Sequence, residues 1–205
     1  MIITIATPHS GHFAPEYVAS LAQTLMDAPS GFEVLAYEGC YVHSLRNLLM
    51  DNAKGDFILF IDSDMKWTSQ NISSLIKAEK DIIGGLYYKR RFPYNPVVYA
   101  YDGVKGSFNA LAKASERLFQ CDGIGTGFLL ISRKVIDHFK QAECRADWGF
   151  PFDPIKVEAP GDCGSYYMGE DLSFCAKAKS LGYEIWCDPE TLVTHVGSQE
   201  VRGPL

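Results

Sequence analysis

The sequence predicts an α/β protein with a central, mainly parallel sheet flanked by helices. Short apolar runs alternate with segments whose apolar residues recur at helical spacing, and this rhythm continues to about residue 87. Such alternation is typical of doubly wound sheets, in which each helix returns the chain to a parallel neighbour. The 205 residues suffice for one well-packed core, so we predict a single domain over 1–205.

The elements of the first half follow one another closely. The predicted strands are apolar runs bounded by turn residues, and they cover 2–7, 32–37, 57–61 and 81–87. The predicted helices cover 14–27, 42–53 and 69–80. Lys54 and Gly55 follow the second helix, where glycine is favoured as a C-cap.

The second half has a different character. We predict an extended segment, a strand, two helices and a last strand, over 93–101, 127–132, 135–141, 171–181 and 184–187. Residues 144–168 contain several glycines and prolines and show no sustained period. A loop of this length in a compact domain is usually a functional lid or a disordered segment.

Charge and cysteine content argue against several classes of protein. The net charge of -6 gives no global basic field for nucleic acid. We find neither a run of roughly 18 apolar residues that would span a bilayer nor the basic start of a signal peptide. The six cysteines form no Cys-x-x-Cys pair, so we expect reduced thiols in a cytoplasmic protein. Disulfides stay open, because sequence does not show their geometry.

The most informative segment is the apolar run 57–61 followed by Asp62, Ser63 and Asp64. Carboxylates two positions apart on an extended chain lie roughly on one side of the backbone. They repel each other unless a cation lies between them, and Mg²⁺ or Mn²⁺ favours carboxylate oxygen. Open α/β sheets bind ligands beyond the carboxyl ends of their strands. We therefore favour a metal site over the alternative, a solvated turn.

Three residues of the second half have both a structural and a functional interpretation. Glu170 and Asp171 begin a predicted helix, where carboxylates are favoured by the macrodipole whatever their function. One of them is also a candidate general base, because it lies where the long loop meets a helix. His195 follows a short apolar stretch and is either a structural histidine or a metal ligand.

The basic residues also leave two interpretations open. Lys89, Arg90 and Arg91 follow the fourth predicted strand, and Arg46 lies on the helix before the acidic pair. They form either an exposed basic surface or a clamp for phosphate.

The glycine-rich segment 123–127 is similar to a dinucleotide fingerprint only in composition. That motif follows a strand and opens a helix, whereas this segment leads into a predicted strand. We reject a Rossmann cofactor and interpret the glycines as a close approach of the backbone to another group, such as a ligand.

In combination, these motifs resemble a GT-A-fold glycosyltransferase of the family 2 type. The resemblance covers nearly the whole chain, and it is carried by segments 46–47, 55–65, 125–127, 169–175 and 194–197. Each motif alone is weak, but their order and spacing are specific. The chain is short for the family and lacks the C-terminal extensions that many members use to hold acceptors.

The resemblance implies roles for the acidic residues. Asp62 and Asp64 would form the DxD motif, with Asp64 the more direct ligand of Mn²⁺ or Mg²⁺ and His195 a further ligand. Asp171 would be the catalytic base, its charged form favoured at the helix start, and Glu170 would contact acceptor or sugar.

The resemblance also implies two binding surfaces. The nucleotide-binding half would be about 1–100, and its donor pocket would be lined by Thr7, Pro8, Glu38, Arg46, Asp62, Ser63, Lys89 and Arg90. Glu38 departs from the aspartate common in the family. The acceptor half would be about 101–205, and acceptor or sugar would contact Gly125, Thr126, Gly127, Trp67 and Trp148.

The implied reaction is transfer of a sugar, with inversion, from a nucleoside diphosphate donor to an acceptor hydroxyl. We expect a UDP-sugar first among donors, and residues 144–168 to order over it. The acceptor stays open between polysaccharide, protein glycan, small molecule and modified nucleic-acid base. One alternative is a non-catalytic nucleotide-sugar or carbohydrate-binding module. Another is a haloacid-dehalogenase-like phosphotransferase, which is disfavoured because Lys66 stands where that motif has threonine.

Overall fold

A large mixed sheet with helices on both faces organises the chain. The computed structural model describes residues 1–28, 30–103, 107–112, 114–141, 149–158 and 164–197. The helices are α1 (Pro15–Asp27), α2 (Val42–Asn52), α3 (Ser69–Lys77), α4 (Arg133–Lys140) and α5 (Glu170–Ser180). The strands are β1 (Ile3–His9), β2 (Phe32–Glu38), β3 (Phe57–Ile61), β4 (Met65–Lys66), β5 (Ile82–Leu86), β6 (Val98–Asp102), β7 (Ser107–Ala110), β8 (Phe119–Cys121), β9 (Gly123–Ile124), β10 (Phe128–Ser132), β11 (Lys156–Glu158), β12 (Ser165–Tyr167), β13 (Ile185–Leu192) and β14 (Thr194–His195).

The sheet has seven strands in the order β2-β1-β3-β10-β5-β13-β8. β1 pairs in parallel with β2 and β3, and β5 pairs in parallel with β13. The other three pairings, β10 with β3 and β5 and β13 with β8, are antiparallel. The prediction of a mainly parallel sheet was therefore wrong. β10 is buried along its whole length, and such a run does not encode the direction in which a strand enters a sheet.

Alternating side chains of the sheet feed two cores. Ile58 and Phe60 of β3 pack on the face covered by α2, α4 and α5, whereas Leu59 and Ile61 face α1 and α3. This alternation is what a period of two requires of a strand buried on both faces. β10, from the second half of the chain, lies between β3 and β5, so strands from both halves share one sheet.

Smaller sheets surround the second half. β6 pairs with β7 and β9, β11 pairs with β12, and β4 pairs with β14. Of the predicted loop 144–168, the described residues 149–158 and 164–168 include the β11–β12 hairpin. Cys40, Cys121, Cys175 and Cys187 are free thiols. Among the helices of the described residues, none is both long enough and apolar enough to cross a membrane.

Candidate functional site

A pocket of about 340 Å³ lies beyond the carboxyl ends of β1, β2 and β3. Residues from six separate parts of the chain converge on it, because parallel strands end at the same edge of a sheet. The predicted site residues that line it are Pro8, Arg46, Asp62, Ser63, Asp64, Arg90, Glu170 and His195.

Other lining residues were missed by sequence reasoning. They lie at the end of β1 or just after it, just after β2 and on α2, and they are His9, Ser10, Gly39, Cys40, Val42 and Leu45. Their signal was positional, since residues following parallel strands gather at one edge. No motif distinguishes them from ordinary turn residues.

Asp64 lies between a histidine and an arginine. Its Oδ1 is 3.5 Å from His195 Nε2, and its Oδ2 is 2.9 Å from Arg90 Nη1. The pairing of β14 with β4 sets this geometry, with Val196 donating a backbone hydrogen bond to the Asp64 carbonyl. Burial raises the pKa of Asp64, but its contacts with His195 and Arg90 outweigh burial and hold that pKa below its ordinary value.

The orientation of His195 bears on whether a cation fits. Its Nδ1 lies 3.2 Å from the Tyr88 carbonyl oxygen, which can only accept, so Nδ1 carries a proton. Nε2 is then the nitrogen that faces the Asp64 carboxylate: it donates to that carboxylate when the ring is charged, and it offers a lone pair to a cation when the ring is neutral. Donation of Nδ1–H to a backbone carbonyl is a contact that metal-binding histidines usually make, and it leaves Nε2 as the nitrogen that could bind a cation beside Asp64.

Asp64 and His195 thus fit a divalent cation, whereas Asp62 is directed elsewhere. Asp62 Oδ1 lies 2.7 Å from Arg46 Nη2. Among the described residues there is no group of three or more His, Cys, Asp or Glu side chains arranged for a metal. A cation held here would take two ligands from the protein and the rest from substrate oxygens and water, as Mg²⁺ commonly does.

Arg46 is the buried centre of the site. Its side chain is 2% exposed, and its guanidinium reaches Asp62, the Thr126 carbonyl at 3.5 Å and Glu170 Oε1 at 3.7 Å. Its Nε is buried without a hydrogen-bond partner. Burial lowers the pKa of Arg46, but the charges of Asp62 and Glu170 raise it by more than burial lowers it. The guanidinium therefore stays charged. Arg46 therefore joins the acidic pair to the start of α5.

Asp171 differs from the prediction. We expected the helix start to favour its charged form, but burial, together with the nearby charge of Glu170, raises its pKa to about 6. The hydrogen bond from Leu172 N to Asp171 Oδ1, at 2.8 Å, opposes this shift without overcoming it. The carboxylate is thus ionised at neutral pH but close to its pKa, which suits a general base.

Two residues predicted in the site lie in the core. Trp67 is 4% exposed, packs edge-on against Tyr17, and donates from Nε1 to Thr24 Oγ1 at 3.0 Å. Thr7 is fully buried, and its hydroxyl lies 2.5 Å from that of Tyr17. The prediction of a sugar contact for Trp67 and of a pocket-lining role for Thr7 was wrong, because both side chains point to the sheet face covered by α1.

The glycines of segment 125–127 make room for the protein itself. A side chain at Gly125 would overlap the Tyr87 hydroxyl, and one at Gly127 would lie 3.1 Å from Asp62 Oδ2. Gly127 N donates to Tyr87 Oη at 3.0 Å, and Thr126 is buried. The close approach predicted from these glycines is therefore to Tyr87. In the structure, the Tyr87 side chain fills the space in which a sugar or acceptor contact was predicted.

The last predicted residues lie outside the pocket or outside the described chain. Lys89 is exposed, with Nζ 5.6 Å from the centre of the Tyr99 ring. Glu38 ends β2 and is exposed, and it does not line the pocket. Trp148 lies outside the described residues.

Comparison with known proteins gives a fold but no family. No protein-family model matches the chain, and a search of curated proteins finds no match. Among solved structures, the chain is similar to A197 from STIV, with a TM-score of 0.59 and 15% sequence identity over 100% of this chain and 99% of that chain. At this identity the similarity shows a shared fold and nothing of activity.

Proposed function

We propose that this protein is a metal-dependent glycosyltransferase with a GT-A fold of the family 2 type. It would transfer a sugar from a nucleoside diphosphate donor, a UDP-sugar first among candidates, to an acceptor hydroxyl. The observation that carries the proposal is the meeting of Asp62, Asp64, Arg90, His195 and Glu170 around one pocket at the carboxyl edge of the sheet.

The charges of the pocket suit a diphosphate that binds together with a cation. Asp64 and His195 would hold Mn²⁺ or Mg²⁺, which supplies positive charge to the departing diphosphate. Arg90 is half-exposed at the rim, and its guanidinium can contact phosphate oxygens directly. Without a cation, the three carboxylates that line the pocket would exceed its two arginines, and a diphosphate would be repelled.

The base lies beside this pocket. Glu170 lines it, and Asp171 follows on the same helix start with a pKa of about 6. Asp171 would take the proton of the acceptor hydroxyl as the oxygen attacks the anomeric carbon. A base acting in this way needs no covalent sugar intermediate, so we propose inversion at that carbon.

A thermal-shift panel of nucleotide sugars, with and without Mn²⁺, tests the proposal. The matching donor should stabilise the fold by about 2.7 kcal/mol at 100 times its Kd, and only when Mn²⁺ is present. Asp64→Asn should lose the stabilisation that depends on Mn²⁺. Asp137→Asn, at an exposed position of α4, should keep it.

Three results would separate the alternatives. No Mn²⁺-dependent stabilisation by any nucleoside diphosphate would contradict the proposal. Donor binding without hydrolysis or transfer would instead indicate a non-catalytic module. Transfer with retained configuration, read by NMR of the product, would contradict inversion.

A further inference from the structure

An apolar cleft lies beside α5. It consists of two adjoining cavities of about 350 and 150 Å³, which share Phe108 and Met168 as lining residues. Leu172, Ala176 and Lys179 line it from α5. At 100° per residue these three lie within about 60° of one another and roughly opposite Glu170, which lines the polar pocket. The start of α5 therefore separates the polar pocket from the cleft.

The smaller cavity carries the hydroxyls of Ser107, Tyr166 and Tyr167, whereas the larger one is mainly apolar apart from Tyr101. Phe108 lines it from the β6–β7 hairpin, and Ile155, Val157 and Met168 line it from the segment that leads into α5. Its charged lining residue, Lys179, is engaged by Asp122. Hydroxyls of a ligand placed in the larger cavity would be left largely without partners, whereas apolar groups there would gain from the same burial.

The smaller cavity comes close to Asp171 at Gly169. Gly169 lines this cavity, and Asp171 Oδ1 lies only 3.1 Å from the point that a Cβ on Gly169 would occupy. Because glycine has no side chain, nothing at this position stands between the carboxylate and a group in the cleft. A hydroxyl at the inner end of a bound molecule can therefore meet the base.

We propose that the acceptor is a hydroxyl compound with an apolar body, an aryl or alkyl group, that binds in this cleft. The proposal rests on the proposed function and names its substrate class. The acceptor O–H bond breaks, and its proton passes to Asp171. The acceptor oxygen bonds the anomeric carbon, and the bond from that carbon to the diphosphate oxygen breaks, with its electron pair leaving on the nucleoside diphosphate.

Three β-glucosides with the same sugar hydroxyls test the proposal on the full chain: methyl, phenyl and hexyl. Isothermal titration should show the phenyl or hexyl compound binding at least about tenfold more tightly than methyl, because only they bury an apolar group. Whichever of the phenyl and hexyl compounds binds more tightly shows whether the apolar body of the acceptor is an aryl or an alkyl group. In the transfer assay, the same compound should have a correspondingly lower KM.

Neighbouring residues of the same strands provide matched controls. Phe108→Ser and Val157→Ser should each remove most of the preference for the apolar glucosides. Asn109→Ser and Lys156→Ser alter the adjacent residues, whose side chains point to the opposite face of each strand, and should preserve it. Two independent cleft variants keep the test decisive if one of them fails to fold.

Two outcomes would overturn the proposal. One is equal binding of all three glucosides. The other is a preference for apolar glucosides that survives both Phe108→Ser and Val157→Ser. Failure of the proposed function is distinguishable, because it would appear as absent donor binding in the thermal-shift panel while the titrations still decide the chemistry of the cleft.

Discussion

The polar pocket and the apolar cleft lie on two sides of one helix start, and they differ in almost every physical property. The pocket is lined by Asp62, Asp64, Glu170, Arg46 and Arg90, whereas the larger cavity of the cleft is lined mainly by aliphatic and aromatic side chains with one engaged lysine. A charged donor and an apolar acceptor could thus be held apart and still meet. The proposed reaction therefore depends on this helix start rather than on either cavity alone.

The carboxylates near Arg46 have different environments on the two sides of the start of α5. Asp62 contacts the guanidinium at 2.7 Å and Glu170 approaches it at 3.7 Å, but Asp171 makes no such contact. By contrast, contacts with His195 and Arg90 hold the pKa of Asp64 below its ordinary value. Asp171 is left as the acid whose pKa rises. When their environments shift the pKa values of neighbouring carboxylates in opposite directions, the carboxylates can take different catalytic roles.

The largest expected effect is loss of transfer when the base is removed. Asp171→Asn keeps the acceptor of the Leu172 hydrogen bond but cannot take a proton, so kcat should fall by about 10²–10⁴-fold. Donor binding in the polar pocket should change little, because Asp171 does not line it. Steady-state transfer and thermal shift measure the two quantities separately. Wild-type transfer by this variant would remove Asp171 from its role, and Asp137→Asn controls for loss of a carboxylate.

How much of this site the sequence could predict depended on how local each contact is. The apolar run before Asp62 and Asp64 predicted β3 and the carboxyl edge where the pocket lies, because strand and motif are adjacent in the chain. Trp67 is only three residues beyond Asp64, yet its side chain turns into the core, where it meets Tyr17. That contact joins residues 50 positions apart and leaves no local pattern.

The same limit applies to the second half of the chain. The glycines at 125 and 127 correctly predicted a close approach, but the partner proved to be Tyr87, nearly 40 residues away. The pKa of Asp171 was predicted in the wrong direction, because the helix start is a local feature and burial by distant segments is not. The cleft has no sequence signature either, since two hairpins with their flanking residues and one helix supply its walls.

A smaller effect should appear as opposite responses of activity and stability to pH. If Asp171 is the base, kcat/KM should rise about tenfold per unit below pH 6 and level off above it. Stability should move the other way. A native pKa raised from 3.8 to about 6 favours the protonated form, so this contribution is complete below about pH 4 and is lost as pH rises through 6.

Comparison with Asp171→Asn isolates that titration. The variant should be more stable than the wild type by about 1–3 kcal/mol at pH 7, where the lower end of the range takes account of partial solvent contact of the carboxylate. At pH 4 the two proteins should be equally stable. Urea unfolding at the two pH values measures this. A stability difference that does not change with pH would mean that Asp171 is not desolvated as the structure indicates.

The smallest expected effect separates two adjacent cations at the rim of the polar pocket. Arg90 lines the pocket and contacts Asp64, whereas Lys89 points to the Tyr99 ring outside it. Arg90→Ala should raise the donor KM about tenfold, the loss typical of one charge-assisted hydrogen bond. Lys89→Ala removes the same charge one residue away and should leave the donor KM unchanged. Equal effects of the two variants would mean that net charge rather than a directed contact attracts the donor, and that the polar pocket is less specific than its geometry indicates.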